Sequence, residues 1–371
     1  MRTPPRGLGI LLLVGPAFVW SAEYIGTGEV LLATRAGAVL GTAILWAVVL
    51  GILLKYWIGM AGARYTACTG EGMVDLFARV PGPRNWAVWV PAWATAQGVQ
   101  TNPWREIMPL LGWGAGGFAS QVWYTYWVLG AGYGVAEGRG YGEPADRDAL
   151  SRMTRATAEK VGGWCRVVYV DATIALVIGV VVTSAFVLSG AGVLRTMQLV
   201  PKGDGIRMAG TIAAIFSSQW GALGETLFLV AAIAALVGTL LGQLAGWPRL
   251  LADAFRLAIP AVYRRFEWKT QFRFFLLFFF GTNMVIVYVM QKNPIGIVQT
   301  AAVLDGILLT ALQALWVGLG LYVVLPRLLS KEAWDVLRPS PVFAVGLAAG
   351  ALVFGWLTVT EAIPQILAAL G

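Results

Sequence analysis

Long apolar runs recur along all 371 residues, and their length sets the first expectation. Runs of roughly 18 or more mostly apolar residues read as membrane-spanning helices, whereas the strands of a membrane barrel would appear as short alternating segments. The pattern predicts nine spans, at about 8–33, 39–60, 86–103, 107–131, 167–190, 222–247, 274–291, 296–325 and 341–368. The third is short, contains Pro91 and ends in "AQGVQTNP", so a re-entrant or half-span is the alternative there. "FSSQW" at 216–220 leads into the sixth span, with 208–216 as a candidate amphipathic piece on the membrane surface. The one long polar stretch, 132–166, starts rich in Gly and Pro and ends charged. It predicts a cytoplasmic loop with one short helix, inside a single transmembrane domain covering 1–371.

Composition agrees. Hydrophobic residues make up 58% and charged residues 12%, with a mean hydropathy of +0.71, against roughly 25% charged in a soluble domain. The fold class is an all-α integral membrane protein, a polytopic helix bundle solvated by membrane lipid. The net charge of +8 refines the topology. With the N-terminus in the cytoplasm, the basic stretches at 64–84, 139–166, 249–273 and 327–338 share one side, and the other holds Arg35, Arg105, Arg195, Lys202, Arg207 and Lys292. This asymmetry requires an odd number of spans, makes nucleic acid the weaker reading of the positive charge, so that no nucleic-acid partner is expected, and suits a bacterial inner (cytoplasmic) membrane. "MRTPPRG" followed by an apolar run resembles a signal peptide, but no small-residue cleavage site follows, which predicts a retained first span. Cys68 and Cys165 fall on the inner side and are expected to be free thiols. The sequence has no His, which excludes imidazole ligation of haem or a transition metal. It also has no P-loop, serine-hydrolase elbow or zincin motif, so no resident cofactor is predicted and an enzyme is the least favoured class.

Candidate chemistry lies in "SAEYIGTGEVLLATR", 21–35. Gly26, Thr27 and Gly28 interrupt the first span, and Glu23 and Glu29 flank them. A carboxylate at mid-membrane costs about 2.5–3.5 kcal/mol on insertion scales, so function is its default reading. Unwound backbone there is tolerated only where it lines a cavity or is buried in protein. A second interruption, Gly112 to Gly117, follows in the span at 107–131. Paired broken helices point to the central site of an inverted-repeat transporter, with close helix packing as the plainer explanation of the glycines. Gly114 and Gln121 join the candidate ligands. Asp305, with Gln299 and Gln313 nearby, suggests a polar seam, and Asp305 and Asp171 are candidates for a proton pathway. Lys55, Asp171, Glu225 and Glu361 lie near predicted span ends, where snorkelling would account for most of them.

The stretch "GPAFVWSAEYIGTGEVLLATRAGAVLG" resembles the first span of the Nramp family of proton-coupled divalent-metal transporters. The similarity continues through "LLKYWIGMAGARYTACTGEGMVDLFARVPGPRNW", "LLGWGAGGFASQVWYTYWV", "AALVGTLLGQLAGWPRLLADAFR" and "AAVLDGILL". It implies a LeuT-like fold whose metal binds between two broken helices. The family's Asp-Pro-Gly-Asn aligns with Gly26 to Glu29, leaving Glu29 as the one inherited metal-ligand position. The family's Met-Pro-His is absent, and Gly112 to Gly117 occupies that region. The link between "PGPRNWAVWV" and "MPLLGWGAGG" is too short for helices four and five of the family, which implies an incomplete inverted repeat. Another membrane subunit or a second copy is then expected at the flank of spans three and four. Two functions follow: a secondary transporter for a small divalent cation, or a transport-inactive relative kept as a structural or assembly subunit of a larger membrane complex.

Overall fold

The computed structural model describes residues 1–26, 28–82, 104–202, 205–290 and 294–364. The predicted third span and Thr27 lie outside them. The protein is an all-α membrane helix bundle. Five of the described helices are long and apolar enough to cross a membrane, or six if the bent pair Gly7–Leu13 and Pro16–Tyr24 counts as one; the nine predicted from hydropathy are not confirmed. The predicted spans at 8–33 and 107–131 are each broken into shorter pieces, as their glycines suggested.

The first span comprises a turn of 3-10 helix Gly7–Leu13, α1 (Pro16–Tyr24), a π-helical turn Gly28–Ala33 and α2 (Thr34–Leu40). Pro16 begins α1 at a position where no amide hydrogen is needed. Next come α3 (Leu45–Thr69), closed by Gly70 in the left-handed conformation, and the short α4 (Met73–Arg79). The second broken span is α5 (Trp104–Trp113) and α6 (Phe118–Ala131). A loop carrying the short helix Arg147–Ser151 leads to α7 (Arg155–Ser189), whose N-cap Thr154 accepts from the Thr157 amide at 3.4 Å. The charged end of the predicted loop, 155–166, therefore forms the first turns of α7.

Residues Gly205–Ala258 form α8, which bends at Gly221 (φ 58°, ψ −145°), so the 208–220 piece is a separate helix leading into the apolar one. Beyond it lie α9 (Trp268–Met290), α10 (Pro294–Val303), a π turn Leu304–Leu308, α11 (Leu309–Leu319), α12 (Lys331–Leu337) and α13 (Pro341–Leu357). Helix α3 is the axle: it packs on α5, α6, α7 and α13, while α1 is held between α6, α7 and α8. Hydrophobic side chains of α3, α6, α7 and α11 form the main core, and a second cluster surrounds α5 and the Leu304–Leu308 turn.

Polar groups lock the end of the bundle where α3 stops. Buried Glu71 accepts from Arg79 Nε and Nη2 at 2.7 and 2.6 Å, from Tyr65 Oη at 2.5 Å and from the Ala145 amide at 2.8 Å. Asp75 on α4 pairs with Arg256 of α8 at 2.6 Å, and Arg256 also reaches Asp253 at 3.3 Å. Cys68 and Cys165 are free, as expected, but buried and adjacent, with their Sγ atoms 3.6 Å apart between α3 and α7.

Candidate functional site

At the first break, Tyr24 ends α1 and Gly28 begins the π turn that carries Glu29. Extra residues in a π turn widen a helix and often accompany function. Glu29 is 1% exposed and Glu23 6%, so both carboxyl groups are buried within the bundle. Glu29 folds back so that Oε2 accepts from the Gly26 amide at 3.3 Å, while Oε1 accepts from Thr183 Oγ1 of α7 at 3.5 Å. Glu23 accepts from Ser120 Oγ of α6. The two acids thus look in different directions from one break, Glu29 towards α7 and Glu23 across to the second broken helix. On the far side, Thr239 of α8 donates at 3.4 Å towards the carbonyls of Ala22 and Ile25, which the end of α1 leaves open. A methyl group on Gly26 would stand 3.1 Å from Thr239 Cβ and Cγ2 and closer still to its hydroxyl.

At the second break, Gly114 to Gly117 separate α5 from α6, with Ala115 and Gly116 at φ 59° and 75°. Three side chains service the exposed peptide groups. Gln121 Nε2 donates to the Ala115 carbonyl at 2.9 Å, and Gln313 Nε2 of α11 donates to the Phe118 carbonyl at 3.2 Å. Lys55 of α3, fully buried, donates to the Gly112 carbonyl and, at 2.7 Å, to the Gly116 carbonyl. Asp305, on the Leu304–Leu308 π turn, accepts from the Ala119 amide at 3.1 Å. It thereby caps the N-terminus of α6 with the charge that such an end favours. Gly117 and Gly306 make this approach possible: methyl groups there would lie 2.5 Å from Asp305 Cγ and from Gly112 Cα. Asp305 and Gln313, two members of the predicted polar seam, both reach the start of α6.

The structure therefore gathers Glu23, Gly26, Glu29, Gln121 and Asp305 around the two breaks. Gly114 packs against Ile52 and the Leu110 carbonyl. Asp171, fully buried, stands a layer away, accepting from Tyr124 Oη at 2.7 Å; Tyr124 in turn stacks on Trp20 of α1 with centroids 4.4 Å apart. Two expectations need correction. Lys55 and Asp171 do not snorkel, because α3 runs to Thr69 and α7 begins at Arg155, which places both residues well inside their helices. Sequence reasoning also passed over Ser120, Thr183 and Thr239. The available signal was a hydroxyl inside an apolar run, Thr183 beside Ser184 in "ALVIGVVVTSAF" and Thr239 in "AALVGTLLGQ".

Among the described residues, no three Cys, Asp or Glu side chains converge as a metal cage. A cation here would take a carboxylate or two and complete its shell from backbone oxygen, hydroxyl groups and water, a hard-donor set.

The chain is similar over part of its length to curated divalent metal cation transporters named MntH. It is 36% identical to that of Yersinia enterocolitica over 93 residues, 24% of this chain and 23% of the relative. Identity is 34% over 92 residues with the protein of Yersinia pestis (strain Pestoides F), again 24% of this chain and 22% of the relative. With that of Pectobacterium carotovorum it is 35% over 83 residues, 22% and 20%. The matched stretch spans less than a quarter of the length of these relatives. No family model matches the chain.

Proposed function

We propose that the protein is an Nramp-like secondary transporter for a small, hard divalent cation, coupled to protons, in a bacterial inner membrane with its N-terminus in the cytoplasm. The observation that carries this reading is the meeting of two broken helices around buried Glu23 and Glu29. Glu29 is the principal ligand, Glu23 a second ligand or proton acceptor, and the backbone at Gly26 to Gly28 and the oxygen of Gln121 complete the donors. With neither thioether nor imidazole among them, Mg2+ or Mn2+ suits the site better than Zn2+. Asp305 and Asp171 serve the proton pathway. The test is uptake of Mn2+ or Mg2+ into proteoliposomes under an inward proton gradient. Glu29→Gln should abolish cation-dependent flux, and unchanged flux in that variant removes the assigned site.

A second reading has its own support in the short link between 90 and 107, which leaves the first repeat incomplete and a flank in need of cover by another subunit or a second copy. In that reading the chain is a structural subunit without transport. Purification under mild detergent separates the two: a stoichiometric foreign subunit together with no flux favours assembly, and flux by the isolated chain favours transport.

A further inference from the structure

A fully buried lysine beside a proposed cation site demands a reason, since its charge would repel the substrate. Its hydrogen bonds go to backbone. Lys55 Nζ is held by the carbonyl oxygens of Gly112 and Gly116, the latter at 2.7 Å, and lies 5.6 Å from the centroid of the Phe354 ring. Those carbonyls belong to the last turn of α5 and to the break beyond it. There the helix leaves peptide oxygens without partners and carries its partial negative charge. Two carbonyl oxygens and an aromatic face form the coordination shell of a desolvated monovalent cation. The charges of Asp305 and Glu29 act on the same point.

We propose that Lys55 is a tethered cation. Its ammonium fills the carbonyl cradle at the second broken helix, a place with the chemistry of a monovalent-cation site, and holds the break open in the form that Asp305 caps from the other side. The consequence for transport, which rests on the function proposed above, is that the substrate cation binds among Glu29, Glu23 and the Gln121 oxygen and is kept off the Gly112 and Gly116 carbonyls. A free monovalent ion then has no place at the second break. Lys55 is in this sense a positioning residue and one that sets specificity.

An ordinary structural lysine and a tethered cation differ in one respect: only the latter can be replaced by a free ion once its tether is cut. The experiment uses the purified full chain in detergent and reads the melting temperature, with no transport involved, so its failure is distinct from failure of the Glu29 uptake test. Lys55→Ala should melt below wild type in choline chloride. Ammonium or methylammonium chloride at the same concentration should restore at least half of that loss, saturably, while wild type responds equally to both salts. Lys55→Met, whose side chain still blocks the cradle, should fall in melting temperature without rescue. Equal response of Lys55→Ala to choline and ammonium overturns the proposal. Should Lys55→Ala fail to fold in choline chloride, its recovery as folded protein when solubilised and purified in ammonium or methylammonium chloride decides: recovery in those salts and not in choline supports the tethered cation, and failure in all of them refutes it.

Discussion

Replacing Gly117 by alanine tests the geometry of the second break with a single methyl group. The backbone there, at φ −89° and ψ −164°, suits alanine as well as glycine, so any penalty comes from contact alone. The added carbon would stand 2.5 Å from Asp305 Cγ and 3.3 Å from its Oδ1, where carbon atoms normally approach to about 3.5–4.0 Å. Asp305 cannot retreat with its backbone, because Gly306 already lies against Gly112. The carboxylate must swing aside and release the Ala119 amide. Loss of a charge-assisted hydrogen bond costs about 1.5–3 kcal/mol and overpacking about 1–3 kcal/mol, together about 2.5–6 kcal/mol. At about 2.1 cal/mol/K of unfolding entropy per residue, this corresponds to a fall of about 3–8 °C in melting temperature for a chain of this length. Thermal unfolding in detergent measures it. Gly355→Ala, where an added methyl would meet nothing within 4 Å, is the control and should not fall. Asp305→Ala removes the obstacle, so Gly117→Ala in that background should cost less than about 1 kcal/mol, a strong negative coupling. If Gly117→Ala melts with wild type, or its effect simply adds to that of Asp305→Ala, the placement of Asp305 is wrong.

The polar latches at the other end of the bundle make two further predictions. Glu71→Ala would leave Arg79 and the Ala145 amide without their acceptor, and breaking a buried pair costs about 3–5 kcal/mol; limited proteolysis should cut the loop around 137–146 at least about tenfold faster than in wild type. Burial pushes the Asp75 carboxyl up to about 7, with Arg256 opposing and Asp253 and Glu71 adding to the rise. Because this lies above the ordinary value of about 3.9, the group's contribution to stability is full below about pH 4 and is lost as pH rises through about 7. Asp75→Asn should therefore flatten the melting temperature between about pH 5 and 8 relative to wild type, and parallel profiles for the two proteins would refute the assignment.

What could be read from the sequence, and what could not, follows from one physical feature of long membrane helices. Hydropathy locates the apolar middle of a helix, and the helix itself continues past it. Arg64 lies inside α3, and Arg155, Lys160 and Arg166 lie inside α7, so an apolar window stops before the hydrogen-bonded helix does. Lys55 and Asp171 were thereby read as end residues when each is buried in the interior. The breaks were legible for the opposite reason: glycine runs beside carboxylates are a local signal, and Gly26 to Glu29 and Gly112 to Gly117 are where α1 and α5 end. The partners of those carboxylates were not legible. Ser120, Thr183 and Thr239 come from three other helices, and a hydroxyl in an apolar helix is usually bonded to its own backbone. Only the packing of α6, α7 and α8 around α1 shows that these three reach across it instead.

The two breaks divide the electrostatic work between them. At the second, each half-helix end receives the charge it favours: Asp305 at the start of α6 and Lys55 at the end of α5. That pair cancels formally and holds the break in shape. At the first, Thr239, a neutral hydroxyl, serves the end of α1, while Glu23 and Glu29 have neutral partners, Ser120, Thr183 and the Gly26 amide. Among the described residues, neither of these two carboxylates forms an ion pair with a Lys or Arg. In a membrane interior such a pair must be protonated or must hold a counter-ion. Under the function proposed above, a divalent cation and two protons are the alternative occupants that would satisfy the same two charges, and exchange of one for the other is what proton-coupled transport of a divalent cation requires.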